Sequence, residues 1–98
     1  MLCKKSQLPP AGAAREFACA DGRMVCVANV KGEITAMDNV CAHRGGPLGQ
    51  GTIEHGKLVC PWHGWAFDPR TGEAVHQGDA RVKTYRLWIE GDDVKVEI

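Results

Sequence analysis

Hydrophobic side chains fall in short runs: EFACA (16–20), RMVCVANV (23–30), EITAMD (33–38), KLVC (57–60), WAFD (65–68), TYRLWIE (84–90) and DVKVEI (93–98). Between them stand glycine-bearing turn signals at Asp21-Gly22, Lys31-Gly32, His55-Gly56, Thr71-Gly72 and Gly91-Asp92. Strands of this length joined by tight turns, with no apolar helical period longer than about 10 residues, predict an all-β, antiparallel sandwich or barrel. Asp21-Gly22 predicts a two-residue type I′ hairpin pairing residues 15–20 with 23–29, since both residue types tolerate positive φ. That register sets Cys19 opposite Met24 and Cys26 diagonally from Cys19 on the same face, too far for a relaxed disulfide. Both are expected to be small buried hydrophobes, and Cys3 to sit in a frayed terminus.

The pattern breaks between Val40 and Gly72. This stretch is rich in glycine and holds three prolines and three of the four histidines, with only very short strand-like runs. A long glycine-rich segment inside a compact domain is characteristically functional, because backbone can approach a ligand closely only where no Cβ intervenes. The chain is therefore expected to form a single domain over residues 1–98, with a loop-rich subdomain at about 40–72 inserted into a β scaffold.

Ninety-eight residues suit one hydrophobic core. Twelve basic and twelve acidic side chains cancel, so the cationic footprint expected of a nucleic-acid binder is missing. No apolar run has the length of a signal peptide or a membrane span, which predicts a soluble cytoplasmic protein. An odd number of cysteines, five, argues against a complete disulfide framework and for reduced thiols or metal ligands.

Within the insert, Cys41 and His43 form C-x-H; after sixteen intervening residues Cys60 and His63 form C-x-x-H. Two loops, each offering one thiolate and one imidazole, can close on a metal. Structural zinc accepts two cysteines and two histidines, but usually in the order of two cysteines followed by two histidines. One of each per loop suits a binuclear centre in which one iron takes both thiolates and the other both imidazoles. His55 and His76, each beside a glycine turn, are expected to be solvated loop residues, and Arg44 is either a surface charge or a contact for an acidic partner.

Cys41-Ala-His43-Arg-Gly-Gly-Pro-Leu and Cys60-Pro-Trp-His63-Gly-Trp resemble the two cluster-binding loops of Rieske proteins, and the flanking hairpins extend the likeness over most of the chain. The resemblance implies one Rieske 2Fe-2S cluster, with Cys41 and Cys60 on one iron and His43 and His63 on the other. Gly45, Gly46 and Gly64 would then let backbone amides approach the sulfurs, and Trp62 would shield the cluster, whereas Trp65 and Phe67 serve at least equally well as core. The ligand set leaves the oxidised centre neutral and the reduced one with a single negative charge, which raises the potential above that of an all-thiolate cluster. High-potential Rieske proteins add an inter-loop disulfide and serine and tyrosine donors to sulfur. Here Gly46 and Trp62 stand at the disulfide positions, Trp65 at the serine and Phe67 at the tyrosine, which predicts the low end of the ~ −150 to +300 mV range.

The implied function is that of a small Rieske ferredoxin, a one-electron carrier between a flavin-dependent reductase and a terminal oxygenase, and not an enzyme in itself. The 98 residues offer no nicotinamide or flavin motif, and no mononuclear iron domain is expected. The segment from His76 to Arg81 also lacks a proline often found in the third loop of Rieske proteins. Two alternatives differ in class: a cluster-bearing small subunit of a nitrite-reductase-like enzyme, and a zinc-stabilised interaction module. No nucleic acid and no membrane is expected as partner.

Overall fold

The computed structural model describes residues 2–41, 45–62, 64–75 and 80–97. Nine strands form among the described residues: β1 (Cys3–Lys4), β2 (Ala13–Ala18), β3 (Met24–Val30), β4 (Glu33–Asp38), β5 (Thr52–Glu54), β6 (Lys57–Val59), β7 (Ala66–Phe67), β8 (Thr84–Glu90) and β9 (Asp93–Glu97). Six make one antiparallel sheet in the order β1-β9-β8-β4-β3-β2, curled into a nearly closed barrel; β5-β6-β7 make a second, smaller sheet. The all-β fold matches the alternation seen in the sequence. β1 and β5 are too short to announce themselves there.

The excursion that carries the small sheet leaves the barrel after β4 and returns into β8, its neighbour. Ala36 faces Tyr85 and Met37 faces Thr84, and the Asp38 N–H donates to the Lys83 carbonyl at 2.9 Å to close the neck. The Tyr85 hydroxyl adds a hydrogen bond to Asp38 Oδ1 at 2.5 Å. Residues 39–83 are thus held at both ends by one pair of adjacent strands.

Two apolar clusters sit on opposite faces of β3 and β4. Val25, Val27, Ala36 and Tyr85 pack with Phe17, Ile34, Leu87 and Val96 on one side. Cys26 and Met37 pack on the other with Leu48, Leu58, Phe67, Val82, Cys41 and Cys60 from the excursion. β3 is covered on both faces, which is why MVCVANV reads as a continuous apolar run. Met37, Leu48, Leu58 and Phe67 are fully buried; burying such side chains contributes about 1.5–3 kcal/mol each, so the cysteine loops rest on a fully buried apolar layer.

The first hairpin corrects the predicted register by one residue. Ala18 pairs with Met24 and Glu16 with Cys26. The turn holds three residues, with the Cys19 N–H donating to the Arg23 carbonyl at 2.7 Å and Gly22 N–H to the Cys19 carbonyl at 3.0 Å. Gly22 takes φ +89°, and Asp21 Oδ1 accepts the Arg23 N–H at 2.9 Å. The Asp21 side chain thus caps a three-residue loop closed by a left-handed glycine, which competes with the two-residue turn. A one-residue slip exchanges faces. Cys26 is therefore buried toward the excursion while Cys19 lies on the opposite face, only partly covered. Cys3 is not frayed: it pairs with Val94 and is buried.

Candidate metal centre

The two cysteine loops are built alike. The Cys41 N–H donates to the Gly46 carbonyl at 2.9 Å and the Cys60 N–H to the Trp65 carbonyl at 2.8 Å, so each loop closes on the residue five positions on. Just before each closure stands a glycine at positive φ, Gly45 at +75° and Gly64 at +72°. Among the described residues no heavy atom beyond its chain neighbours lies within 4 Å of where a Gly64 Cβ would be, so its positive φ is what calls for glycine there. His43, Arg44 and His63 lie outside the described residues, as does His76.

Cys41 and Cys60 come together although eighteen residues separate them. Both are buried, and the Cys41 side chain adjoins the Cys60 thiol closely enough to raise it. Tetrahedral ligation with metal–sulfur bonds of about 2.3 Å sets two thiolates about 3.8 Å apart, so two adjoining thiols suit one metal ion. The Trp62 N–H donates to Cys60 Sγ at 3.4 Å, the sulfur hydrogen bond by which a protein stabilises thiolate charge. Burial pushes the Cys60 thiol up, the Trp62 amide pulls it back, and the adjoining Cys41 raises it again. Two thiolates in this apolar layer require a compensating cation, which a bound metal supplies. Among the described residues no three metal-ligating side chains cluster; the cysteine pair is the described half of the predicted set.

Gly46 is the close-approach glycine. A Cβ there would lie 2.8 Å from Cys60 Sγ, 2.9 Å from Trp62 Cγ and 3.0 Å from Trp62 Cδ2. The first loop therefore lies directly against the second, with the Trp62 indole over Gly46 and its remaining surface, 49%, in solvent. These are the two positions at which the sequence reading places a disulfide in high-potential relatives; here an indole on a bare backbone joins the loops. Phe67 is wholly buried opposite Leu58. Trp65 packs on the same cluster, its ring 6.4 Å from Phe67 at 39°. Both have the core role foreseen for them.

Sequence reasoning missed what anchors the first loop. Asn39, two residues before Cys41, is the one buried polar side chain among the described residues. Its Oδ1 accepts the Gly49 N–H at 2.7 Å, its Nδ2 donates to Glu16 Oε2 at 2.5 Å, and its carbonyl accepts the Leu48 N–H at 2.8 Å. The only signal was an asparagine in an otherwise apolar approach to a cysteine. His55, exposed at φ +52° in the β5–β6 turn, is the loop residue expected. It borders a cleft in which Arg70 pairs with Glu33 at 2.6 Å and Lys57 with Asp68 at 3.6 Å.

The model of the Rieske [2Fe-2S] domain matches residues 1–86. The chain belongs to the Rieske [2Fe-2S] family. Its cofactor is a Rieske-type 2Fe-2S cluster. The chain is 34% identical over 79 residues to the ferredoxin component of the naphthalene 1,2-dioxygenase system of Pseudomonas aeruginosa, covering 80% of this chain and 76% of that one. It is 42% identical over 69 residues to a 4beta-methylsterol monooxygenase of Methylococcus capsulatus, covering 67% of this chain but only 19% of that protein. Among solved structures, the Sphingomonas yanoikuyae B1 ferredoxin superposes with a TM-score of 0.86 at 30% identity, covering 99% and 95% of the two chains. The ferredoxin of carbazole 1,9a-dioxygenase from Nocardioides aromaticivorans IC177 gives 0.83 at 28%, covering 97% and 92%. No helix among the described residues is long and apolar enough to cross a membrane.

Proposed function

We propose that this Rieske protein is a one-electron carrier that takes electrons from a flavin-dependent reductase and passes them to a terminal oxygenase. In this proposal Cys41 and Cys60 ligate one iron and His43 and His63 the other, within a cluster-binding subdomain at about 40–72 of a single 1–98 domain. The observation that carries it is the meeting of two buried thiols from separate loops, one of them receiving a backbone N–H. When bound, the cluster supplies reversible one-electron chemistry; the chain holds it, excludes water from the sulfur side and tunes its charge. The names of the naphthalene and carbazole dioxygenase ferredoxins support the oxygenase as acceptor.

A potential near the low end of the Rieske range follows from the sulfur environment. Phe67 and Trp65 carry no hydroxyl, and the described N–H on Cys60 Sγ comes from Trp62. Fewer donors leave the charge added on reduction less stabilised. Iron and sulfide analysis with electron paramagnetic resonance of the dithionite-reduced protein tests the assignment. The expected result is two irons and two sulfides per chain and an average g value below that of an all-thiolate cluster, lost when Cys60 or His63 is replaced by alanine. Protein lacking stoichiometric sulfide overturns it.

A further inference from the structure

Glu16 is out of place by composition. β2 presents it on the same face as Cys26 and Met37, through the Glu16–Cys26 and Cys26–Met37 pairs. That face is the apolar layer on which Cys41 and Cys60 rest. Glu16 is half-buried there, so its carboxylate gives up part of its hydration. Both hydrogen bonds that the described residues make to its carboxylate come from amides. Asn39 Nδ2 donates to Oε2 at 2.5 Å and Gln50 Nε2 to Oε1 at 3.0 Å.

These donors bracket the first cysteine loop, Asn39 just before it and Gln50 just after. Between them Gly49 N–H binds Asn39 Oδ1 and Leu48 N–H binds the Asn39 carbonyl. The packing leaves no slack, for a Cβ on Gly49 would come within 2.8 Å of both Asn39 Oδ1 and the Glu16 backbone nitrogen. One side chain of the barrel thus grips both stems of the loop that presents Cys41.

We infer that Glu16 is a positioning residue for the Cys41 loop and that its charge, set in the layer beneath the cysteines, biases the centre toward its oxidised form. This rests on the reading of Cys41 as a cluster ligand. The chemistry dictates a carboxylate. Two amide donors facing one side chain need an acceptor at each oxygen, and an ionised carboxyl accepts at both. Glutamine at position 16 would accept one donor and turn its own NH₂ against the other, so only one stem of the loop would stay held. The electrostatic sign is equally fixed, since a nearby negative charge opposes the negative charge gained on reduction.

The test compares cluster-loaded wild type, Glu16→Gln, Glu16→Asp and Gln50→Ala by hydrogen–deuterium exchange over residues 39–51 and by redox titration. Glu16→Gln is expected to speed exchange at Leu48 and Gly49 at least threefold and to shift the midpoint potential upward. Glu16→Asp, which keeps the charge but falls a methylene short, should speed exchange with little change in potential. Gln50→Ala, at an exposed residue, should loosen only the second stem, and it keeps the test available should the Glu16 variants fail to fold. Unchanged exchange in Gln50→Ala, or unchanged exchange and potential in Glu16→Gln, overturns the inference. A wild type without a Rieske resonance would instead overturn the ligand assignment, so the two failures are distinct.

Discussion

Replacing Gly46 by alanine tests whether the two cysteine loops are fitted to one another. The added Cβ would sit 2.8 Å from Cys60 Sγ and 2.9 Å from Trp62 Cγ, whereas non-bonded carbons rest at about 3.5–4.0 Å and sulfur is larger. Something must therefore move by roughly 0.7 Å or more. Trp62 is half in solvent and can yield; Cys60, at 2% exposure, cannot without disturbing the layer beneath it. Position 46 is not among the positive-φ residues, so backbone strain adds nothing and the cost is overpacking, about 2 kcal/mol. In a domain of this size that lowers the melting temperature by about 8–16 °C. Gly64→Ala is the contrasting control, where nothing among the described residues beyond its chain neighbours lies within 4 Å but φ is +72°; it should cost about 1–2 kcal/mol through the left-handed backbone alone, and Gly64→Asn less. The assay is thermal denaturation with visible circular dichroism of the cluster. Gly46→Ala should change the spectrum because Cys60 is pushed, while Gly64→Ala should leave it closer to wild type. A Gly46→Ala protein melting within about 1 °C of wild type with an identical spectrum would refute the fitted-loop argument.

Three further outcomes follow from the thiols and the neck. Burial, with Glu16 adding to it, lifts the Cys26 thiol from its ordinary 9.0 to about 12. Its contribution is constant below pH 9 and is lost as pH rises toward 12, because the unfolded chain gives up the proton first. Stability curves between pH 8 and 11 should therefore flatten in Cys26→Ala by up to about 1.4 kcal/mol per pH unit; an unchanged slope refutes it. Brief N-ethylmaleimide treatment of the native protein followed by mass spectrometry should label Cys19, in its half-covered turn, before Cys3 and Cys26, which are 5% and 0% exposed. Equal labelling of Cys19 and Cys26 would restore the register predicted from Asp21-Gly22. Tyr85→Phe removes the hydroxyl donated to Asp38 and should lower the unfolding free energy from urea titration by about 1–2 kcal/mol with an unchanged m value. A larger m value would mean that more surface is exposed on unfolding than a single lost hydrogen bond accounts for.

What was legible in the chain was local. Alternation over four to eight residues revealed most strands of the barrel, because side chains that take turns between core and solvent leave a period of two. The ligand candidates were equally plain, since Cys41 with His43 and Cys60 with His63 are spaced within single loops. Tertiary structure decided whatever depends on partners distant in the chain. Glu16 reaches Asn39 twenty-three residues away and Gln50 thirty-four away, and no local pattern marks a carboxylate that will meet two amides. Gly46 and Trp62 meet only because two separately closed loops pack against each other. The turn after β2 depended on an Asp21 side chain bonding the backbone two residues on, which adds one residue to the loop and sends Cys19 and Cys26 to opposite faces. Periodicity reports which residues want burial. Which buried groups face one another is set by register and packing, and these are determined by the whole fold at once.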